Sequence, residues 1–352
     1  MTLPSLARDT QSSDIGALEN VTFPVAWYAI AASESIQSQP LGIRRLGIDL
    51  VLWRDGNGEI VCQSRYCPHR GVDLALGKVS QETGKSCLEC PYHGFQFAAE
   101  GHCVLMPCEG EGAKISPAMK VKSYQVKEVH NFIWLWWGEN QTTAPEIPWF
   151  SELSDRPRRW SDAELIWDVH FTRAVESALI DIHHFAFAHR RIAKWSGIGA
   201  AKRLESLKTV AIGDRQIKTE GILTSDRQDG MSLEFKNDIL FPNLSLFDFS
   251  LGGIKLFVTL TPIDENNTWV NFRYYVPVGW PWLSRLIAKI AVWFELNFVQ
   301  PDDYRLLKSA VPKRSGLTKN RFVHADRTIV HWHRLNKHHP QKKMVLQRFP
   351  LL

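Results

Sequence analysis

Two short loops that each contain one cysteine and one histidine constrain this chain more than any other feature. Cys67 and His69 form the first loop, and Cys90 and His93 form the second after a gap of twenty residues. Common zinc fingers instead draw two cysteines from one loop and two histidines from the next element. The pairing favours a [2Fe-2S] cluster, with thiolates on one iron and imidazoles on the other, over zinc, which is the alternative.

The residues around these loops predict a small domain of β-strands. Residues 50–55, 59–64, 120–129 and 132–137 are apolar or alternate between apolar and polar, and they are separated by turn sequences such as 55–58. Residues 1–22 are mostly polar and are predicted to form a flexible tail. The β domain is predicted to span residues 23–140, where prolines and small polar residues indicate a connection.

The rest of the chain predicts a sheet combined with helices. Residues 172–189 have helical periodicity, and six segments between 207 and 278 have strand patterns. Two helical stretches follow, at 283–298 and from Asp303 onward. This order predicts an α+β fold in which a twisted antiparallel sheet wraps on a long helix, within a second domain spanning 141–352.

A second group of metal-ligating residue types lies in the first of these helical stretches. Asp181 is followed by His184 and then by His189. Open iron(II) sites use two histidines and one carboxylate on one face of the metal. On a regular helix positions 184 and 189 are about 140° apart, so an irregular helix is predicted between Phe185 and Ala188. The alternative is that the histidines are ordinary surface or core residues.

Both constellations resemble the Rieske non-heme iron oxygenases, also called the aromatic ring-hydroxylating oxygenase alpha subunit family. The resemblance implies an antiparallel β Rieske domain followed by a helix-grip catalytic domain. The implied [2Fe-2S] ligands are Cys67, His69, Cys90 and His93, and the implied ligands of a mononuclear Fe(II) are His184, His189 and Asp303. Asp302 is the alternative third iron ligand.

The resemblance also assigns a role to Asp181. It precedes His184 by three residues, so on a helix it lies one turn away on the same face and reaches the free ring nitrogen of His184. In the family the matching aspartate carries electrons from the second Rieske histidine of a neighbouring subunit, here His93. This implies a homotrimeric ring. Glu176 matches a family position, whereas Ser177 stands where many relatives have Asn.

Two substituted cysteine positions and the absence of a dinucleotide-binding motif limit the possible functions. Val72 and Tyr92 stand where the Rieske proteins of respiratory complexes have additional cysteines, which favours the oxygenase type or a soluble ferredoxin. Because no dinucleotide motif is present, electrons from NAD(P)H are expected to arrive through a flavin-dependent reductase, a ferredoxin or both. The expected activity is O2-dependent hydroxylation, oxidative demethylation or dihydroxylation of a small apolar substrate. The alternative is an electron-transfer protein with a non-catalytic ligand-binding domain.

Candidate residues for an apolar substrate pocket come from the helix flank and the predicted strands. Each of them can equally belong to the packed core. They are Phe185, Asn237, Leu240, Phe247 and Phe249.

Charge and hydropathy limit the possible partners. Residues 305–352 hold twelve Lys/Arg and one acid, Asp326, in a chain of net charge +5. A solvated basic face is favoured, with an acidic protein, a membrane or a nucleic acid as alternative partners, although no nucleic-acid motif is present.

Residues 280–299 are interrupted by Arg285, Lys289 and Glu295, which predicts an amphipathic helix instead of a membrane span. A cytoplasmic protein without membrane contact is expected, since the first twenty residues lack a secretory signal pattern.

Overall fold

The computed structural model describes residues 22–81, 84–110, 112–139, 144–154, 159–189, 201–225, 232–250 and 252–343. Strands before residue 140 are β1 Thr22–Pro24, β2 Ala26–Ala32, β3 Leu41–Arg45, β4 Ile48–Arg54, β5 Ile60–Ser64, β6 Lys78–Ser80, β7 Cys87–Glu89, β8 Gln96–Phe97, β9 Cys103–Leu105, β10 Val126–Val129 and β11 Phe132–Trp137. They form antiparallel sheets in the orders β10-β11-β2, β3-β4-β5 and β6-β7-β8-β9. Short antiparallel sheets were the expectation for this part.

A seven-stranded antiparallel sheet dominates the rest of the described chain, in the order β12-β18-β17-β16-β15-β14-β13. Its strands are β12 Trp160–Trp167, β13 Ala201–Ile212, β14 Gln216–Ser225, β15 Leu233–Leu240, β16 Leu244–Asp248, β17 Lys255–Pro262 and β18 Thr268–Tyr275. Six of these match predicted strand segments. The edge strand β12 was not predicted, because its sequence WSDAELIW does not alternate cleanly between apolar and polar residues.

Helices connect and cover this sheet. They are α1 Ser151–Ser154, α2 Phe171–Val175, α3 Phe185–Ala188, α4 Pro281–Phe294, α5 Gln300–Ser309 and α6 Arg327–His338, with π-helical turns at Glu176–Ile180 and Glu295–Val299. The second π-turn joins α4 to α5, so the two predicted helical stretches form one continuous helix from 281 to 309. A π-turn inserts one extra residue and is frequent at functional sites.

The main hydrophobic core contains residues from both predicted domains. Leu50 and Leu135 of the first part share one buried cluster with Leu260, Phe272 and Trp332 of the second. The predicted boundary near residue 140 falls on residues 140–143, which lie outside the described residues, and it stays a prediction. The predicted tail likewise lies outside them except for Thr22, which begins β1.

The basic C-terminal segment contributes to the fold. Trp332 of α6 is completely buried and its indole N–H donates to the Pro242 carbonyl over 3.0 Å. A further strand, β19 Gln341–Lys343, pairs antiparallel with β1. Among the described residues, no helix is both long enough and apolar enough to cross a bilayer.

Candidate functional site

The two Cys/His loops have the same backbone hydrogen bonds. In each loop the cysteine N–H donates to the carbonyl five residues on, and the glycine N–H donates back to the cysteine carbonyl. The bonds run from Cys67 to Val72 (2.9 Å), Gly71 to Cys67 (2.8 Å), Cys90 to Phe95 (2.8 Å) and Gly94 to Cys90 (3.0 Å). Both glycines have φ near +70°, in the left-handed region that a residue with a Cβ rarely occupies.

Within these two loops, the cysteine side chains differ from the histidine side chains in their exposure to solvent. Cys67 and Cys90 are buried, whereas His69 is exposed and His93 half-buried. The two imidazole rings lie 4.8 Å apart between centroids, and His69 stacks on Phe95. Burial raises the pKa of the Cys67 thiol to about 12, so a bound iron must supply the positive charge that keeps it deprotonated. The arrangement fits a cluster with its thiolate end inside and its imidazole end toward solvent.

His184, His189 and Asp303 come together at the other candidate site. Asp303 Oδ1 lies 3.4 Å from His184 Nε2 and 3.3 Å from His189 Nε2, and one ligand atom from each residue lies within 4.8 Å of the others. Neither ring nitrogen of the buried His189 has a hydrogen-bond partner in the described part of the chain. Buried polar atoms are rarely left unpaired, so two imidazoles and one carboxylate converging in this way fit a divalent metal.

A second carboxylate stands behind each imidazole. Asp181 Oδ2 lies 3.4 Å from His184 Nδ1, and Asp302 Oδ2 lies 3.8 Å from His189 Nδ1. Asp303 therefore contacts the ring nitrogens that face the candidate metal, and Asp302 contacts the opposite side of His189. This geometry favours Asp303 as the third ligand and gives Asp302 the orienting role that outer carboxylates have in metal sites.

These carboxylates also set the protonation of the histidines. Burial lowers the pKa of His184, but Asp181 and Asp303 outweigh it and raise the pKa to about 10. For His189, burial dominates and lowers the pKa. Metal ligands must be deprotonated, so an ion that binds here replaces the His184 proton.

The backbone between the histidines differs from the predicted helix. The π-turn Glu176–Ile180 ends at Asp181, which is extended, and its Oδ1 accepts from the N–H groups of His183 (3.0 Å) and His184 (3.3 Å). Phe185–Ala188 is a regular helical turn, not the irregular segment predicted there. The helix instead ends at Ala188, and His189 leaves helical geometry at ψ 52°, which turns both rings to one side.

Two buried carboxylates near the site have contacts that the sequence analysis did not predict. His333 Nε2 lies 2.6 Å from Glu176 Oε1, and Arg173 Nη1 donates to Glu176 Oε2 over 2.9 Å. Glu295, in the second π-turn, accepts from the Tyr274 hydroxyl over 2.7 Å. His333 and Tyr274 lie 157 and 21 residues from the carboxylates they contact, and no local motif marks either pair.

Glu295 makes the stability of the fold depend on pH. Burial raises its pKa from 4.5 to about 7. The unfolded chain thus holds fewer protons than the folded chain between these pH values, and the free energy of unfolding should fall as pH rises through this window. Glutamine does not titrate. Between pH 5 and 8 the free energy of unfolding of the chelator-treated Glu295→Gln variant should therefore fall about 3 kcal/mol less than that of the unchanged protein. Urea unfolding at both pH values measures this, with the exposed Glu100→Gln as control; equal pH dependence in all three proteins would contradict it.

The five predicted pocket residues separate into different environments. Phe185 lies 5.0 Å from His189 between ring centroids, and Phe247 stacks on Phe249 in the cluster that contains Leu179 and Ile182. Asn237 is committed to the fold, since its amide donates to Leu179 O over 2.7 Å and accepts from Ser245 Oγ over 2.5 Å.

Leu240 does not belong with the other pocket candidates. It packs against the separate cluster that contains Trp27 and Leu244, on the other face of the sheet. Strand residues three apart point to opposite faces, so Asn237 and Leu240 cannot line the same pocket.

A cleft of about 320 Å³ opens beside the candidate metal centre. Asp181, His184 and Asp303 line it, with Arg173 and Phe322 among the other residues of its wall. None of the five predicted pocket residues lines this cleft. It gives access to the centre from the side on which Asp181 lies.

Comparison with known proteins agrees with this geometry. Residues 26–125 match the Rieske [2Fe-2S] domain family. The chain is 36% identical over 130 residues to Protein TIC 55, chloroplastic, of Arabidopsis thaliana, covering 36% of this chain and 23% of the relative. It is 31% identical over 165 residues to the vanillate O-demethylase oxygenase subunit of a Pseudomonas strain, covering 47% and 44%. The chain thus spans less than half the length of these relatives.

The fold extends the likeness beyond the Rieske domain. The solved structure of dicamba monooxygenase bound to dicamba superposes with a TM-score of 0.72 at 22% identity, covering 90% of this chain and 98% of that one. That structure shares the succession of small antiparallel sheets and a sheet-plus-helix domain. The chain thus contains a Rieske [2Fe-2S] domain at residues 26–125 and shares the overall fold of dicamba monooxygenase.

Proposed function

We propose that this chain is the terminal oxygenase component of a Rieske oxygenase system. It would use O2 and electrons from a separate NAD(P)H-dependent reductase, with or without a ferredoxin, to hydroxylate, demethylate or dihydroxylate a small apolar substrate. The observation that carries the proposal is the convergence of His184, His189 and Asp303 within 4.8 Å in a chain that also has the paired Rieske loops. A protein that only transfers electrons needs no such second centre.

The two sets of ligands have separate tasks. Cys67, His69, Cys90 and His93 would hold the [2Fe-2S] cluster, and His184, His189 and Asp303 would hold Fe(II). When bound, these groups supply single electrons and O2 activation, chemistry that protein side chains cannot provide alone. The protein fixes and orients the ligands and limits the access of water to the mononuclear iron site.

The chain's own carboxylates prepare the iron site. Asp303 places one oxygen between the two imidazoles and contributes a negative charge to the ligand set. Asp181 and Asp302 lie 3.4 Å and 3.8 Å from the far ring nitrogens, where closer hydrogen bonds in the metal-bound protein would fix the orientation of each ring and the tautomer that leaves Nε2 free to bind metal.

Asp181 is also the proposed entry point for electrons. It lines the open cleft beside His184, and the His93 ring lies at the accessible end of its loop. We propose that His93 of the partner subunit approaches Asp181 in a homotrimer, so that the cluster of one subunit serves the iron of the next. A closed ring of heterologous contacts satisfies this pairing for every subunit.

The substrate class is proposed from chemistry and likeness together. The similar proteins named above include an O-demethylase of vanillate and a monooxygenase bound to dicamba. For this chain we propose substituted aromatic rings as the first class to test, with alicyclic compounds as the second. Phe185, Phe247 and Phe249 are the proposed apolar contacts, whereas the geometry of Asn237 and Leu240 does not support a pocket role for them.

The test is turnover under heavy-isotope oxygen. Purified, reduced protein is incubated with a library of aromatic, methoxy-aromatic and alicyclic compounds under 18O2. Hydroxylation gives a product that carries the label, dihydroxylation gives one with two labelled atoms, and O-demethylation gives the phenol with release of formaldehyde. The His184→Ala variant is the control. If no compound turns over and the protein holds only the two cluster irons, the electron-transfer alternative is favoured.

A further inference from the structure

One face of α4 carries large apolar side chains that nothing in the described chain covers. Trp280, Trp282, Leu286, Ile290 and Trp293 expose 65%, 60%, 48%, 57% and 56% of their surface. Positions 282, 286, 290 and 293 recur at helical spacing and therefore form one stripe. We call these five residues the tryptophan face. Contiguous exposed apolar patches mark interaction sites, whereas single exposed apolar residues need no explanation.

The opposite side of α4 fixes this orientation. Ser284, Ala288 and Val292 are buried where the helix packs on β12 and β18. The Ser284 hydroxyl donates to the Val278 carbonyl over 2.9 Å. These small residues bring the helix close to the sheet, and turning the large side chains inward would require replacing that contact. The tryptophan face is thus a stable feature of the folded chain.

The charges beside the face indicate what covers it. Arg285 and Lys289 are exposed on the same side of α4, and Glu295, the acid in residues 279–299, is buried. A second copy docked face to face about a two-fold axis would place Lys289 near its own equivalent, which is repulsive. Anionic lipid headgroups complement Lys289, while indole rings suit the boundary between headgroups and acyl chains.

We infer that the tryptophan face docks the protein on the surface of an anionic bilayer. The helix would lie in the plane of the interface, since only one of its faces is apolar and exposed while Ser284, Ala288 and Val292 on the other side are packed on the sheet. On sequence alone, membrane contact is the less favoured use of residues 280–299. The exposure of every large apolar residue on one fixed face is the observation that changes this.

Flotation with lipid vesicles tests the inference on the full holoprotein. Vesicles of phosphatidylcholine alone are compared with vesicles that also contain phosphatidylglycerol. The protein should float with the anionic vesicles, and high salt should weaken the binding. Combining Trp282→Gln, Leu286→Gln and Ile290→Gln should lower the partition coefficient at least about tenfold, because the burial of three apolar side chains is lost. Glutamine keeps good helix propensity.

A matched triple variant controls for exposed apolar surface elsewhere. Val210→Gln, Ile212→Gln and Val323→Gln change three exposed residues outside α4 and should bind as the unchanged protein does. The single variant Lys289→Glu should bind anionic vesicles several-fold more weakly and provides a test should the triple variant fold poorly, as judged by circular dichroism and iron content.

Several outcomes would overturn the inference. The inference fails if the unchanged protein floats with neither vesicle type. It also fails if the α4 triple variant and Lys289→Glu bind as strongly as the unchanged protein, which would assign binding to another basic region. If the α4 triple variant forms a smaller assembly than the unchanged protein in lipid-free sedimentation, a second copy of the chain covers the tryptophan face. Because no turnover is measured, failure here leaves the proposed oxygenase function untouched.

Discussion

Replacing His184 by alanine is expected to abolish substrate oxidation while leaving the Rieske cluster intact. The imidazole supplies one of three convergent ligand atoms, and its loss leaves Asp303 and His189 as an incomplete set. The Cys/His loops do not share residues with this site, so the visible absorption of the cluster should be unchanged. Iron per chain should fall by one atom. The exposed His338→Ala, on α6, is the matched control and should keep both iron and activity.

Measurements of iron content and substrate oxidation also distinguish the roles of the neighbouring residues Asp302 and Asp303. Asp303→Asn should lose the mononuclear iron and all turnover, because Asp303 Oδ1 contacts both inward-facing ring nitrogens. Asp302→Asn should keep the iron but bind it about 10- to 100-fold more weakly, as is usual for a carboxylate that orients a ligand. If Asp302→Asn lost the iron and Asp303→Asn kept it, the assignment of the third ligand would be reversed.

Replacing Asp181 by asparagine is expected to slow electron delivery at least about tenfold while most of the iron remains. The asparagine carbonyl can still accept from the His183 and His184 N–H groups, so the turn that positions His184 should persist. What is lost is the negative charge beside the His184 ring. Stopped-flow reoxidation of the pre-reduced cluster by O2 in the presence of substrate measures this rate, and iron analysis shows whether the metal remains.

Mixed assemblies test whether the electrons cross between subunits. A Cys90→Ser chain should lack the cluster, and a His184→Ala chain should lack the mononuclear iron, so neither is active alone. Co-expression of the two should restore turnover if the cluster of one chain serves the iron of its neighbour. Adding Asp181→Asn to the Cys90→Ser chain should then slow the restored turnover at least about tenfold. Absence of restoration in a verified mixed trimer would show that electrons stay within one chain.

The Rieske loops were predictable because their chemistry is local. Each loop is closed by hydrogen bonds within six residues, so Cys67, Gly71, Cys90 and Gly94 already specify the backbone that holds their side chains. The pair His184 and His189 was found for the same reason. The preference for Asp303 over Asp302 stays a prediction, and its support comes from the side on which helix α5 approaches each imidazole.

The features that escaped prediction depend on distant contacts. Glu176 and His333 are separated by 157 residues, and their short contact follows from packing α6 against the first π-turn. The π-turns themselves leave no periodic signal in five residues. Leu240 was a different case, since strand alternation alone places it on the face opposite Asn237. Edge strand β12 has one face partly open, as Ile166 shows by its exposure, and its pattern is correspondingly weak.

Metal analysis with Mössbauer spectroscopy of the anaerobically isolated, reduced chain tests the central claim most directly. The account predicts three irons per chain: two in a [2Fe-2S] cluster with unequal thiolate-ligated and histidine-ligated irons, and one high-spin ferrous ion that disappears in His184→Ala. Zinc at the Cys/His loops, or two cluster irons with no third iron under full metal supply, would contradict it.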